Sequence, residues 1–204
     1  MCCNPNTYDD NNPLLGVVLS GGNSNRMGKD KGLLLKEGQY WSKITFDKLE
    51  SLGIPVVISI DSSQEEECRK VFFPDRIVVD KINVKGPLRG ILSIHDQFPD
   101  HDLIVVASDL PDLSTAIIKN LINVFDEKAG EHDFVVYSIE NEPEPLVGVY
   151  TAEGLSKIFS LHISNQLEKV SMKHILEVGN TFFIELKPDD WKELKNYNSK
   201  VDLR

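Results

Sequence analysis

The sequence has few cysteines, no excess of positive charge and no long apolar run. Only three of its 204 residues are cysteines, Cys2, Cys3 and Cys68, and none of them has the spacing of metal ligands. Free thiols of this kind are typical of a reducing compartment, so we predict a cytoplasmic protein. No apolar window is long enough to cross a bilayer, and residues 1–10 lack the basic and apolar regions of a secretory signal. The sequence therefore predicts no membrane association.

The formal net charge of −10 argues against nucleic-acid binding, because proteins that bind nucleic acids usually carry a basic surface. Positive charge is instead concentrated locally. The segment from Ser20 to Lys31 carries three cations and a single acidic residue, Asp30. A cationic segment on an otherwise acidic protein favours a small anionic ligand over a polymer.

Apolar, strand-like runs alternate with helical patterns along the chain, which is typical of an α/β fold. The sequence predicts strands at 14–19, 55–60, 76–80, 103–108, 133–138, 146–150 and 181–186. It predicts helices at 40–52, 63–72, 88–98, 114–125, 154–161 and 167–178. This alternation indicates a three-layer α/β/α architecture with a mostly parallel, Rossmann-like sheet. We expect one domain over residues 14–204, preceded by a disordered tail over residues 1–13 that is rich in Asn, Asp and Pro.

A glycine-rich, cationic segment follows the first predicted strand. From Leu19 to Lys31 it reads Leu-Ser-Gly-Gly-Asn-Ser-Asn-Arg-Met-Gly-Lys-Asp-Lys. Glycines allow backbone N–H groups to turn towards a phosphate, and the cations neutralise its charge. The segment is not a P-loop, because Gly28-Lys29 is followed by Asp30, and it lacks the Gly-x-Gly-x-x-Gly of dinucleotide-binding folds. It therefore predicts a phosphate site of another type.

A carboxylate, Asp109, follows the fourth apolar run in the sequence Ser-Asp-Leu-Pro at 108–111. Ligands of parallel sheets bind at the carboxyl ends of the strands, so Asp109 and the glycine-rich segment should share one edge. A hard oxygen ligand at that edge suits Mg²⁺ bridging nucleotide phosphates. Taken alone, such an aspartate is more often a turn former or a helix cap.

The pattern Gly-Gly-x-Ser-x-Arg-Met-Gly-x-Asp-Lys resembles a motif of the nucleotidyltransferases that activate sugars and cofactors, and it is most similar to that of molybdenum cofactor guanylyltransferases. Further similar blocks lie at 85–90, 108–111, 144–150 and 196–203, so the resemblance covers about residues 14 to 203. It implies a nucleotidyltransferase fold and Mg²⁺-dependent transfer of GMP from GTP to the phosphate of molybdopterin or its molybdenum form, with release of pyrophosphate. The implied partners are these two substrates and cofactor-delivery proteins.

The resemblance also implies roles for individual residues. Arg26 would bind the leaving β,γ-phosphates, Lys31 would lie near the α-phosphate, and Asp109 would bind Mg²⁺. Asp80 corresponds to a residue used in guanine or substrate recognition. Asn198 corresponds to an amide that can help to hold the metal, although the two residues after it depart from the usual Thr-Pro. The implied nucleotide-binding residues are Leu19, Ser20, Gly21, Gly22, Arg26, Lys31, Asp80, Gly86, Pro87, Leu88 and Gly90.

Three other interpretations stay open at this point. The first is another nucleotidyltransferase, which would use CTP or would act on a sugar or alcohol phosphate. The second is a nucleotide-binding protein without catalytic activity on the same scaffold. The third is a flavodoxin-like or other Rossmann-type domain, although such a domain would not need Arg26-Met27-Gly28 or Asp109-Leu110-Pro111.

Overall fold

A computed structural model of the chain describes residues 14–21, 34–36 and 38–195. The predicted tail over residues 1–13 lies outside these ranges. The strands are β1 Leu14–Leu19, β2 Leu35–Lys36, β3 Gln39–Tyr40, β4 Val56–Ile60, β5 Ile77–Val79, β6 Asp102–Ala107, β7 Phe134–Ile139, β8 Glu142–Tyr150 and β9 Thr181–Glu185. The helices are α1 Trp41–Glu50, α2 Glu65–Cys68, α3 Leu88–Gln97, α4 Thr115–Glu127, α5 Ala152–Ile163 and α6 Met172–Val178. Short 3-10 helices cover Ser62–Gln64, Pro74–Arg76 and Pro188–Leu194.

Seven strands form one sheet in the order β5-β4-β1-β6-β8-β7-β9. Strands β5, β4, β1 and β6 run parallel to one another, whereas β8 pairs antiparallel with both β6 and β7. Strand β9 returns parallel to β7 at the far edge. The mostly parallel sheet predicted from the sequence is therefore confirmed, with one antiparallel strand placed near its middle. Strands β2 and β3 form a separate antiparallel hairpin just before α1.

Helices cover both faces of the sheet and divide the core into two clusters. Within β1, Val18 faces one cluster whereas Val17 and Leu19 face the other, as the two-residue period of a strand requires. The first cluster includes residues of α1, α2 and α4, and the second includes residues of α3, α5 and α6. Because both faces are buried, the inner strands are apolar at almost every position. These are the three layers that the alternating pattern predicts.

Two predicted helices are shorter than their sequence patterns suggest. In the predicted helix 63–72, regular α-helix covers only Glu65–Cys68, and the chain continues in tighter turns, with the N–H of Lys70 donating to the carbonyl of Glu67 at 3.1 Å and that of Val71 to the carbonyl of Cys68 at 3.0 Å. The predicted helix 167–178 begins at Met172, because Ser171 has extended backbone and its side chain accepts a hydrogen bond from the N–H of His174. Helix α4 begins close to its predicted start, and Ser114 is its N-cap, because the Ser114 side chain accepts a hydrogen bond from the N–H of Ile117.

Candidate functional site

The carboxyl ends of four neighbouring strands bring the sequence motifs to one edge of the sheet. Leu19 at the end of β1 is in register with Ser59 of β4 and with Ala107 of β6. The backbone ladder continues past the strands, because the N–H of Ser20 donates to the carbonyl of Ser59 at 2.9 Å and the N–H of Ser108 donates to that of Leu19 at 3.0 Å. The residues that follow β1, β4, β5 and β6 therefore lie side by side.

A cleft of about 360 Å³ opens over the ends of β1, β4 and β5, where the chain enters α3. Its lining residues are Leu19, Gly21, Ser59, Asp61, Asp80, Val84, Lys85, Gly86, Pro87, Arg89 and Gly90. Six of them are among the nucleotide-binding residues that the resemblance implies, namely Leu19, Gly21, Asp80, Gly86, Pro87 and Gly90. The motifs around Gly21 and Gly86 are thus parts of one cavity, although about 65 residues separate them in the sequence.

Asp80 is the buried acid of this cleft, with only 8% of its surface exposed. The hydroxyl of Ser59 donates to its Oδ1 at 2.6 Å. Oδ2 faces the glycine-rich segment, since a Cβ added at Gly21 would lie 3.0 Å from it. Burial raises the pKa of Asp80 to about 6, whereas the Ser59 bond and the charge of Arg89 act in the opposite direction. Above that pH the cleft therefore contains an ionised carboxylate that is poorly hydrated.

Asp61 and Arg89 form a charged pair on the wall next to Asp80. The Nη1 of Arg89 donates to Oδ2 of Asp61 at 3.0 Å, and its Nη2 donates to the backbone carbonyl of Asp80 at 2.9 Å. The N–H and hydroxyl of Ser63 both donate to Asp61, and these bonds, together with Arg89, hold the pKa of Asp61 below its usual range. Arg89 thus joins the start of α3 to the ends of β4 and β5.

Gln64 fixes the start of the glycine-rich segment against β4. Its side chain is almost fully buried, donates from Nε2 to the carbonyl of Ser20 at 3.0 Å, and accepts from the N–H of Asp61 at 2.8 Å. Gln64 is a positioning residue that belongs to none of the sequence motifs described above. A usable signal is present, because Asp-Ser-Ser-Gln at 61–64 has the spacing of a capping box, and the structure contains that box.

The segment from Gly86 to Gly90 lines the cleft partly through its backbone. Gly86 has a φ of 74°, a left-handed conformation that glycine adopts without strain. Gly90 is packed closely, since an added Cβ would lie 2.3 Å from the Oγ of Ser59. The side chain of Leu88 is fully buried in the core and does not line the cleft. Ser20 is also buried, and its hydroxyl has no hydrogen-bond partner within the described part of the chain.

Asp109 lies on the other side of β1 from Asp80. It is partly exposed in the turn that follows β6, whereas the cleft covers the ends of β4 and β5. The Nζ of Lys48 from α1 donates to the carbonyl of Pro111 in the same turn at 2.6 Å, and Lys36 of β2 forms an ion pair with Asp112. The turn that carries Asp109 is therefore bound both to α1 and to the hairpin that follows the glycine-rich segment.

Four predicted site residues lie outside the described residues, namely Gly22, Arg26, Lys31 and Asn198. Within residues 14–21, 34–36 and 38–195, no group of three or more His, Cys, Asp or Glu side chains is placed to hold a metal ion. In the same ranges no helix has both the length and the apolar character that a membrane span requires. The described part of the site is thus a cleft with two acids in its lining, Asp61 and Asp80, and Asp109 lies in the turn after the neighbouring strand β6.

Comparisons with known proteins agree with this description. The profile of the MobA-like NTP transferase domain matches residues 16–178. The chain is 29% identical to the molybdenum cofactor biosynthesis bifunctional protein of Synechocystis sp., over 93% of this chain and 52% of that protein. It is 26% identical to the probable molybdenum cofactor guanylyltransferase of Methanothermobacter thermautotrophicus, over 92% of this chain and 96% of that protein. The chain thus spans about half the length of the first relative and nearly all of the second.

The fold is also similar to a solved structure, that of molybdopterin-guanine dinucleotide biosynthesis protein A from Archaeoglobus fulgidus. The TM-score is 0.74 at 20% identity, and the match covers 93% of this chain and 94% of the other. At this identity the likeness shows the fold alone, and the sequence profile adds the family. The chain belongs to the family of MobA-like NTP transferase domains.

Proposed function

We propose that this protein transfers GMP from GTP to the terminal phosphate of molybdopterin or its molybdenum form and releases pyrophosphate. The membership of the family supports nucleotidyl transfer, and relatives of similar length are named as probable molybdenum cofactor guanylyltransferases. The observation that carries the choice of nucleotide is the cleft with a buried carboxylate, Asp80, facing Gly21 at the end of β1.

The chemistry of Asp80 favours guanine over the other bases. Guanine is the base that presents two adjacent donors, N1–H and the N2 amino group, to a single carboxylate. Adenine and cytosine have a ring acceptor in the place of N1–H, which a carboxylate would repel. Hydrogen bonds to charged groups contribute about 1.5–3 kcal/mol each, and a buried acceptor makes the discrimination stronger because an unmatched base leaves it unpaired.

The glycine-rich segment is in a suitable place for the phosphates. Gly21 lines the cleft directly after β1, so the segment begins between Asp80 on one side and Asp109 on the other. Following the resemblance, we assign binding of the β,γ-phosphates to Arg26 and contact with the α-phosphate to Lys31. Cations and backbone N–H groups are the usual ligands of phosphate oxygens.

Asp109 is the residue that we propose to bind Mg²⁺. Its carboxylate is a hard oxygen donor in a turn fixed by Lys48, and Mg²⁺ needs only one or two carboxylates when substrate phosphates supply further ligands. The absence of a three-carboxylate cluster among the described residues therefore fits such a site. When bound, Mg²⁺ would neutralise phosphate charge and act as a Lewis acid.

The reaction needs no covalent bond to the protein. An oxygen of the acceptor phosphate forms a bond to the α-phosphorus of GTP, while the bond from that phosphorus to the bridging oxygen of the β-phosphate breaks, and pyrophosphate leaves with the electron pair. The protein holds the two substrates in line and stabilises the charge that develops. Lys31 would contribute most in the transition state, because charge accumulates at the α-phosphate there.

Nucleotide selection tests the proposal directly. Thermal shift of the purified protein with GTP, ATP, CTP and UTP, each with Mg²⁺, should show the largest stabilisation with GTP. Pyrophosphate release should then require GTP together with molybdopterin. A preference for CTP, or turnover with a sugar or alcohol phosphate in place of molybdopterin, would identify a different nucleotidyltransferase. Nucleotide binding without pyrophosphate release would indicate a protein that is not an enzyme.

Variants at the proposed catalytic residues test the mechanism. Asp109→Ala should abolish Mg²⁺-dependent turnover, whereas Asp100→Ala, at an exposed residue two positions before β6, should behave as wild type and serves as the matched control. Lys31→Ala should lower kcat by about a hundredfold or more with a smaller change in KM, because its contact strengthens in the transition state. Full activity of Asp109→Ala, or an unchanged kcat in Lys31→Ala, would contradict the assigned role.

A further inference from the structure

Arg89 is a cation in the first turn of α3, where positive charge is unfavourable. It is the second residue of α3, and positive charge in the first turn of a helix is disfavoured by about 0.3–1 kcal/mol because it opposes the helix dipole. Two bonds hold the side chain there, to the carboxylate of Asp61 and to the carbonyl of Asp80. The side chain is about one-third exposed and lines the cleft.

The guanidinium has more donors than its two bonds use. A guanidinium carries five N–H groups, and the described residues accept one bond from Nη1 and one from Nη2. Three donors are therefore left for solvent or a ligand. The bond to the Asp80 carbonyl keeps them next to the buried carboxylate of the cleft, that of Asp80. A ligand in the cleft thus meets a donor group and an acceptor group side by side.

Guanine has the matching pattern on its own edge. The O6 acceptor lies directly beside N1–H, which is followed by the N2 amino group, and N7 provides a second acceptor next to O6. We infer that Arg89 is a specificity-determining residue, which donates to O6 of the base while Asp80 accepts from N1–H and N2. The inference rests on the function proposed above. Arg89 is not among the nucleotide-binding residues that the resemblance implies.

The two residues would then read different atoms of the base. Asp80 reads positions 1 and 2, whereas Arg89 reads position 6. Adenine has an amino group at position 6, so its donors would face the donors of Arg89. The nucleotide of 6-thioguanine keeps N1–H and N2 but replaces O6 with sulfur, a weaker acceptor. The nucleotide of hypoxanthine keeps O6 and N1–H but lacks N2.

The experiment measures the affinities of wild type and Arg89→Met for GTP, 6-thio-GTP, ITP and ATP with Mg²⁺. Wild type should bind GTP more tightly than the other three. In Arg89→Met the affinity for GTP should fall by about tenfold to a hundredfold, as loss of a charge-assisted hydrogen bond predicts. Its preference for GTP over 6-thio-GTP should disappear and its preference over ATP should shrink. Its preference for GTP over ITP should stay, because Asp80 reads N2.

A second cation of the cleft supplies the matched control. Lys85 is exposed and lines the cleft, and it donates no hydrogen bond to a described residue. Lys85→Met should change the affinities for all four nucleotides by the same factor, because it removes charge without removing a contact to the base. Loss of the GTP over 6-thio-GTP preference in Lys85→Met would contradict the assignment of that preference to Arg89.

The double variant Asp61→Asn with Arg89→Met keeps the test decisive if Arg89→Met folds poorly. It removes both partners of the pair, so no carboxylate is left without its cation. Wild-type discrimination against 6-thio-GTP in either variant would overturn the inference. The proposed function is tested separately, by the nucleotide preference of wild type and by its release of pyrophosphate with GTP and molybdopterin.

Discussion

Replacing Asp80 with asparagine should make the unliganded protein more stable at pH 8 and should weaken its selection of guanine. Asp80 is 8% exposed, and burial raises its pKa from the usual 3.8 to about 6. A shift of about two units corresponds to about 3 kcal/mol, which is the cost of keeping this carboxylate ionised in the folded protein. Asparagine has nearly the same shape, carries no charge, and can still accept the hydrogen bond from Ser59.

The sign of the effect depends on pH in a defined way. Between about pH 4 and pH 6 the folded protein binds a proton at Asp80 that the unfolded chain has released, so stability falls as the pH rises through this window. The cost is complete above about pH 7. Asp80→Asn does not titrate, so its advantage over wild type should be near zero at pH 4 and should reach at most about 3 kcal/mol at pH 8. For a chain of this size that corresponds to an increase in Tm of about 6–12 °C.

Thermal melts of both proteins at intervals from pH 4 to pH 8, without nucleotide, measure the effect. Asp61→Asn is the control, because the bonds from Ser63 hold the pKa of Asp61 below its usual range. The stability from Asp61 is present above its unfolded pKa and is lost as the pH falls through the folded pKa, so Asp61→Asn should lower Tm at pH 8. An Asp80→Asn protein that is no more stable than wild type at pH 8, or whose advantage is the same at pH 4, would refute the reasoning.

Two further predictions concern the packing and the support of the site. Gly90→Ala should destabilise the fold by about 1–3 kcal/mol in urea unfolding and weaken nucleotide binding, because its Cβ would lie 2.3 Å from the Oγ of Ser59. Adding Ser59→Ala to the same chain should restore part of the stability, and a Gly90→Ala protein as stable as wild type would contradict the close packing. Lys48→Met should raise the Mg²⁺ concentration for half-maximal activity by about fivefold, because it removes the hydrogen bond to Pro111, worth about 1 kcal/mol, that holds the Asp109 turn. Lys43→Met on the same helix should leave this concentration unchanged, and equal effects of the two variants would refute a specific role of Lys48.

The strands and the cleft motifs could be predicted because their signals are local. Continuous apolar runs such as 103–108 mark strands buried on both faces, and the glycines near the end of β1 mark a backbone that approaches a ligand. The antiparallel direction of β8 was not predicted. Its apolar residues are equally compatible with either direction, and only the short connection from β7, residues 140 and 141, points to a hairpin.

The contacts inside the cleft were harder to predict because they join distant parts of the chain. Arg89 meets Asp61 across 28 positions, and Gln64 meets Ser20 across 44. Sequence alone shows that these side chains are polar but not which strands bring them together. Asp80 was identified through the resemblance. Its raised pKa could not be predicted, because it follows from burial where α3 packs against β4 and β5.

The backbone ladder beneath the cleft has a consequence for engineering. Leu19 and Ser59 are partners in register, as are Ile60 and Val79, so the walls stand on three strands whose separation is fixed at about 4.8 Å. The spacing of these strands does not increase for a larger base or decrease for a smaller one. Conversion to another nucleotide should therefore come from exchanging the side chains at the ends of β4 and β5, and libraries confined to these few positions should leave the scaffold intact.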